Sequence, residues 1–242
     1  MLFSKLGFLI LSIVFISVET FSVTDAEEQN VVDTSLNQEG KSIGELVPKN
    51  WEIIYTCKGD INNNSLEDLI IVAQSNDSSK IKNCCMDKME NTNDRVLGIF
   101  FKNRNGKYKK VVEARTLVPY KMCNAEEPLS SISINENGVI SIDLHFWMSA
   151  GSWSLGNRTY KYRYQNGKIV LIGIEDNIAK RNTGEIIKTR INFLTRKVIY
   201  EYGNFSSNEI DSIVTKKFEL KELFTINACD TSMGYYSKNL LP

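Results

Sequence analysis

Three Asn-Gly pairs, Asn105-Gly106, Asn137-Gly138 and Asn166-Gly167, each lie between two runs of strand-forming residues. Asparagine and glycine tolerate the positive φ that both central residues of a two-residue hairpin loop require, so each pair predicts a tight reversal between antiparallel strands. The flanking runs have the matching period. Ile140, Ile142, Leu144 and Phe146 alternate with Ser141, Asp143, His145 and Trp147, and Tyr160, Tyr162 and Tyr164 alternate with Lys161 and Arg163. A period of two sends one set to a buried face and the other outward. RINFLTRKVIYEY reads as a fourth hairpin around Thr195-Arg196. Helical period is weak outside residues 208–223. These strands predict a mainly β fold: antiparallel hairpins forming one compact sheet-rich domain, propeller-blade-like or sandwich, with few short helices.

The N-terminal end sets the expected compartment. Residues 1–26 carry one positive charge at Lys5, an apolar run of 13 residues from Leu6 to Val18, and Thr24 and Ala26 at the −3 and −1 positions of a signal-peptidase cut. The run is shorter than the roughly 20 residues that cross hydrocarbon, which favours a cleaved signal peptide over an anchor. The expected organisation is a signal peptide over 1–26, a polar flexible leader over 27–46 and a β-rich domain over 47–242. The mature chain is expected to be periplasmic or secreted, without a membrane span. Basic and acidic residues balance at 29 each, so no net field draws the chain to nucleic acid. The densest basic cluster, Lys107 to Lys110, flanks a turn.

Export permits disulfides, and the cysteines are Cys57, Cys84, Cys85, Cys123 and Cys229. An odd number leaves at least one thiol free or paired between chains. A vicinal Cys84-Cys85 bridge and separate bridges from those neighbours, for instance to Cys123, are both open from the sequence. The polar stretch SNDSSKIKNCCMDKMENTND that holds the pair shows little pattern beyond one short helix.

Two stretches are candidate sites. GDINNNSLEDLIIV places Asp60, Asn62 and Asn64 at positions 1, 3 and 5 of a calcium-type loop, the carbonyl of Leu66 at position 7 and Asp68 at position 9. Alternate oxygens on a tight turn converge on a hard cation. Ser65 stands where glycine makes the sharp turn and Ile71 where a glutamate closes the shell, so calcium is expected to bind at the weak end, about 0.1–1 mM. The competing reading is a cluster of Asx turns that satisfy their own backbone. The second stretch, HFWMSAGSWSLGNRTYKYRY, gathers Trp147, Trp153 and Tyr160 around a loop of small residues and is the candidate ligand-binding surface. Core packing competes for the alternating tyrosines.

Catalytic machinery finds less support. His145 is the only histidine and alternates out of an apolar strand, and the adjacent acids Glu126-Glu127 and Glu175-Asp176 read as solvated. The chain holds no P-loop, no G-x-G-x-x-G and no G-x-S-x-G. No catalytic residue is assigned.

VPKNWEIIYTCKGDINNNSLEDLIIV, KYRYQNGKIVLIGIE and RNTGEIIKTRINFLTRKV together resemble a family of bacterial exported proteins of undetermined function, whose N-terminal part is likened to the FG-GAP or VCBS repeats of integrin-alpha-like β-propellers. The likeness runs from Pro48 to Val198. In that family the loop reads G-D-L-N-x-D-G-x-x-D, which Gly59, Asp60, Asn62 and Asp68 match, while Asn64 and Ser65 replace Asp-Gly. The loop occurs once, so a single domain is expected rather than a full propeller. The resemblance implies export and a calcium-type loop, and no reaction. The expected function is a secreted or periplasmic, non-enzymatic binding or structural module for a protein or glycan of the cell envelope. The alternative is a cell-envelope hydrolase or an inhibitor of one.

Overall fold

The computed structural model describes residues 35–84, 88–150, 152–207 and 210–228. The segment read as a signal peptide and residues 27–34 of the expected leader lie outside the described residues. In chain order the elements are β1 (Glu39–Gly40), α1 (Ile43–Leu46), β2 (Trp51–Gly59), β3 (Asp68–Ser75), β4 (Ile81–Cys84), β5 (Lys88–Asn91), β6 (Arg95–Lys102), β7 (Tyr108–Ala114), β8 (Leu129–Ile134), β9 (Val139–Phe146), β10 (Ser154–Gln165), β11 (Lys168–Lys180), β12 (Glu185–Asn192), β13 (Lys197–Asn204) and β14 (Ile210–Lys217). Five strands form one sheet in the order β1-β7-β6-β3-β2, and seven form a curled second sheet in the order β14-β13-β12-β11-β10-β9-β8. Every pairing is antiparallel, as the hairpin pattern requires. No helix among the described residues is long and apolar enough to cross a membrane.

The two sheets share one core. Ile70, Val72, Leu97 and Ile99 of the first pack with Ile140, Ile142, Tyr160, Tyr162, Leu171 and Ile174 of the second. Strand β3 is buried from Asp68 to Gln74, because its alternate residues Leu69, Ile71 and Ala73 face the other way and need a cover of their own. That cover is Leu36, Leu46 and Val47. Residues 35–47 therefore belong to the fold, and the expectation of a flexible leader reaching residue 46 is corrected. The polar composition of the stretch hides three buried apolar side chains, and burying each is worth about 1.5–3 kcal/mol. Leu36 lies so close over β6 that a Cβ at Gly98 would stand 2.4 Å from its Cδ1.

A charged clasp holds the same stretch. Glu113 accepts from the Ser35 hydroxyl at 2.9 Å, from the Leu36 N–H at 3.0 Å and from Lys110 Nζ at 2.8 Å. Burial pushes the Glu113 carboxyl up, but Lys110, Ser35 and Arg115 outweigh it and hold it below the ordinary glutamate value.

The Asn-Gly turns divide into two kinds. Asn166 and Gly167 both have positive φ, 52° and 77°, and join β10 to β11 by the expected two-residue loop. At the other two pairs only the glycine is left-handed, with φ 76° at Gly106 and 70° at Gly138. There an earlier asparagine builds the turn: Asn103 Oδ1 accepts from the N–H of Asn105 and Lys107, and Asn135 Oδ1 accepts from the N–H of Asn137 and Val139. The repeated signal is Asn-x-Asn-Gly. It makes a type I turn closed by a left-handed glycine instead of the two-residue loop expected from Asn-Gly alone.

Two other local expectations change. The polar insertion forms the hairpin of β4 and β5 after a single 3-10 turn at Ser78–Lys80. Within the helical spacing expected over 208–223, Ile210–Lys217 forms β14: Ile210, Ile213 and Val214 mimic an i, i+3, i+4 stripe, but the strand pairs with β13.

Leu36→Ala should lower the unfolding free energy in urea by about 2–5 kcal/mol, the range for truncating a packed leucine. Glu113 has a lowered folded-state value, so its contribution is present above the ordinary glutamate pKa and is lost as pH falls through the lowered one. Urea titrations on acidification should therefore show a shallower loss of stability for Glu113→Gln than for the parent.

Candidate functional site

A cleft of about 180 Å³ opens between the segment that follows β7 and the end of β9. One wall is Val118, Pro119, Tyr120 and Met122; the other is Phe146, Trp147 and Met148. Met122 is 49% exposed and Tyr120 38%, so the mouth is apolar and open to water.

Four devices hold these walls. Arg95, buried at the start of β6, donates from Nη1 to the Pro119 carbonyl at 2.9 Å and makes a two-pronged pair with Glu127 at 2.5 and 2.9 Å. A disulfide joins Cys84 of β4 to Cys123, and Lys121 pairs with Glu90 of β5 at 2.7 Å, so the β4–β5 hairpin braces the wall from behind. Across the cleft, the Glu126 N–H donates to the Trp147 carbonyl and the Ser149 N–H to that of Asn124, continuing the β8–β9 pairing past its end. Arg181 stacks over Trp147 at 6.0 Å and donates to the Met148 carbonyl.

The polar groups at the rim are mutually engaged. His145 Nε2 lies 2.9 Å from Glu126 Oε2, and its Nδ1 lies 2.6 Å from Asn157 Oδ1. Adjacent acids that looked solvated are split by the chain's alternation. Glu126 goes to His145 and Glu127 to Arg95; Glu175 goes to Lys161 and Asp176 to the buried Arg158. Cys57 is the free cysteine among the described residues, and burial pushes its thiol up, away from the thiolate that nucleophilic chemistry needs.

The three aromatic residues grouped in the sequence part company. Trp147 lines the cleft, Trp153 is 71% exposed and is not part of its lining, and Tyr160 is 2% exposed in the core, stacked on Tyr162 at 6.3 Å. The opposite wall was not anticipated. ARTLVPYKMC has neither strand nor helix period, and its partners lie in other strands.

The Asp60 to Asp68 loop caps the far end of β2 and β3. Asp68 accepts from the N–H of Ile61 at 3.0 Å and of Lys102 at 2.9 Å, and Asp60 accepts from the N–H of Asn64 and Ser65 at 3.0 and 2.7 Å. Asn64 Oδ1 accepts from the N–H of Leu66 at 2.8 Å, while Asn62 Oδ1 is buried without a hydrogen-bond partner among the described residues. Asn63 and Ser65 both take the left-handed conformation, with φ 57° and 64°. Burial pushes the Asp68 carboxyl above its ordinary value, and the backbone donors from Lys102 and Ile61 oppose that rise. Among the described residues no group of three or more His, Cys, Asp or Glu side chains is placed to hold a metal.

Comparisons with protein-family models, with curated proteins and with solved structures give no match to this chain.

Asp68→Ala orphans two N–H donors and should cost about 1–3 kcal/mol in urea unfolding, whereas Ser65→Gly should gain about 1 kcal/mol by relieving its left-handed backbone. Opening the 39-residue span between Cys84 and Cys123, by Cys84→Ser with Cys123→Ser, should cost about 2–4 kcal/mol and quench-sensitivity measurements should find Trp147 more accessible.

Proposed function

We propose that this chain is an exported, non-enzymatic binding module that seats an apolar group of a cell-envelope protein or glycan in the cleft between Met122 and Trp147. The observation that carries the reading is the make-up of the cleft: open apolar walls, with the charged groups at its rim already held in ion pairs. Such a site gains affinity by excluding water from a flat apolar face, the aromatic or aliphatic side chain of a peptide or the carbon face of a sugar ring. Arg181 behind Trp147 keeps the indole fixed, which lowers the ordering cost of binding.

Calcium enters this reading as a weak structural occupant of the Asp60 to Asp68 loop. An ion there would have to draw carboxylate oxygens away from backbone donors they already accept. Millimolar calcium should therefore stabilise the chain by about 1 kcal/mol or less against chelator in thermal unfolding.

The test is a fluorescence titration of the purified chain with tryptophan- and leucine-bearing peptides and with cell-wall disaccharide fragments. Saturable quenching that weakens about tenfold or more in Met122→Glu or Trp147→Ala is expected. The hydrolase reading rests on the His145 and Glu126 pair. Turnover of a cell-wall substrate that disappears in His145→Ala would replace the binding proposal.

A further inference from the structure

We infer that β14 is a self-pairing edge, which joins two copies of this chain through one continuous antiparallel sheet. Among the described residues the strand is the last in its sheet, and all eight of its residues are exposed. Ile213 is 60% and Val214 38% exposed, an apolar pair at the centre of an open edge. Unpaired edges of that kind invite another strand.

The bonding pattern says which groups are on offer. The Phe218 N–H donates to the Arg196 carbonyl, directly across in the register that sets Lys197 against Lys217. Pairs alternate along an antiparallel ladder. Val214 and Lys216 therefore turn their backbone groups toward β13, while Ile213, Thr215 and Lys217 turn theirs to the open edge, with Asp211 following at the bulge that ends the regular pairing.

A second copy related by a twofold axis normal to the sheet must place same-face residues opposite one another. Centring the axis on Val214 sets Ile213 against Thr215 of the second copy and Asp211 against its Lys217, and uses all the open backbone groups just named. The charges favour this register. Lys197 and Lys217 stand side by side on β13 and β14, and neither they nor Asp211 forms an ion pair among the described residues. Like charges directly opposite in a sheet are unfavourable. The carboxylate of Asp211 from the second copy arrives beside that lysine pair, twice per dimer. A register shifted by two residues loses this match, so the same charges reject other partners.

This inference is independent of the cleft. It is tested by sedimentation equilibrium of the full chain across a dilution series, with thermal unfolding as the control for folding. A reversible dimer is expected. Ile213→Pro removes an N–H from the open edge and none from the ladder with β13, and should give a folded monomer. Asp211→Lys should weaken dimerisation by about tenfold or more, and Asp211→Lys combined with Lys217→Asp should restore it. A monomer at every concentration overturns the inference. So does a dimer that survives Ile213→Pro, or one for which the single and double charge variants behave alike.

Discussion

Strand β3 must be covered on both faces, and the rest of the molecule is arranged around that requirement. Its run of Leu69, Ile70, Ile71, Val72 and Ala73 has no polar side to offer water. A single sheet packing on one face would leave Leu69, Ile71 and Ala73 exposed. The seven-stranded sheet takes one face and residues 36–47 take the other, so a short stretch holding only β1 and α1 becomes a necessary layer. At Gly98 the layers lie close, and a Cβ there would run into the Leu36 and Phe100 side chains.

Buried charge in this fold holds chain segments in position. Arg95 and Glu127 are drawn together at the start of β6, and Arg158 meets Asp176 inside the curled sheet. Neither pair is a strong argument for stability, because desolvation offsets much of the attraction. Each does hold an irregular or strongly curved part of the chain in one arrangement. Arg95 fixes the segment that forms one wall of the cleft, a stretch with no ladder of its own to fix it. The disulfide from Cys84 to Cys123 serves the same wall, which links the small β4–β5 hairpin to the candidate site.

The cleft and the open edge lie on different strands. The cleft is built at the ends of β6 and β9, where pairing gives way to loops; the edge is the last strand of the second sheet. Binding in the cleft with pairing through β14 would give a dimer two copies of its site, and avidity for a partner that repeats along a surface.

The amino-acid sequence by itself determined that the chain is an antiparallel β protein, since a period of two and Asn-Gly reversals are local properties of the backbone. It placed the reversals at Asn137-Gly138, Asn166-Gly167 and Thr195-Arg196 and marked the Asp60 to Asp68 loop as a stretch rich in side-chain oxygens, open between an ion site and a polar turn. It could not separate a two-residue loop from the Asn-x-Asn-Gly form, because that choice depends on whether an asparagine two positions earlier is free to accept from the backbone. Periodicity failed at residues 35–47, where burial falls on Leu36, Gly40, Leu46 and Val47 without a repeat, and at β14, where strand pairing overrode a helix-like spacing. Only the tertiary structure decided which aromatic residues meet. Trp147 faces Met122 and Tyr120 across the cleft while Tyr160 turns into the core, because strand alternation and the packing of two sheets distribute neighbours in the sequence to different sides of the molecule.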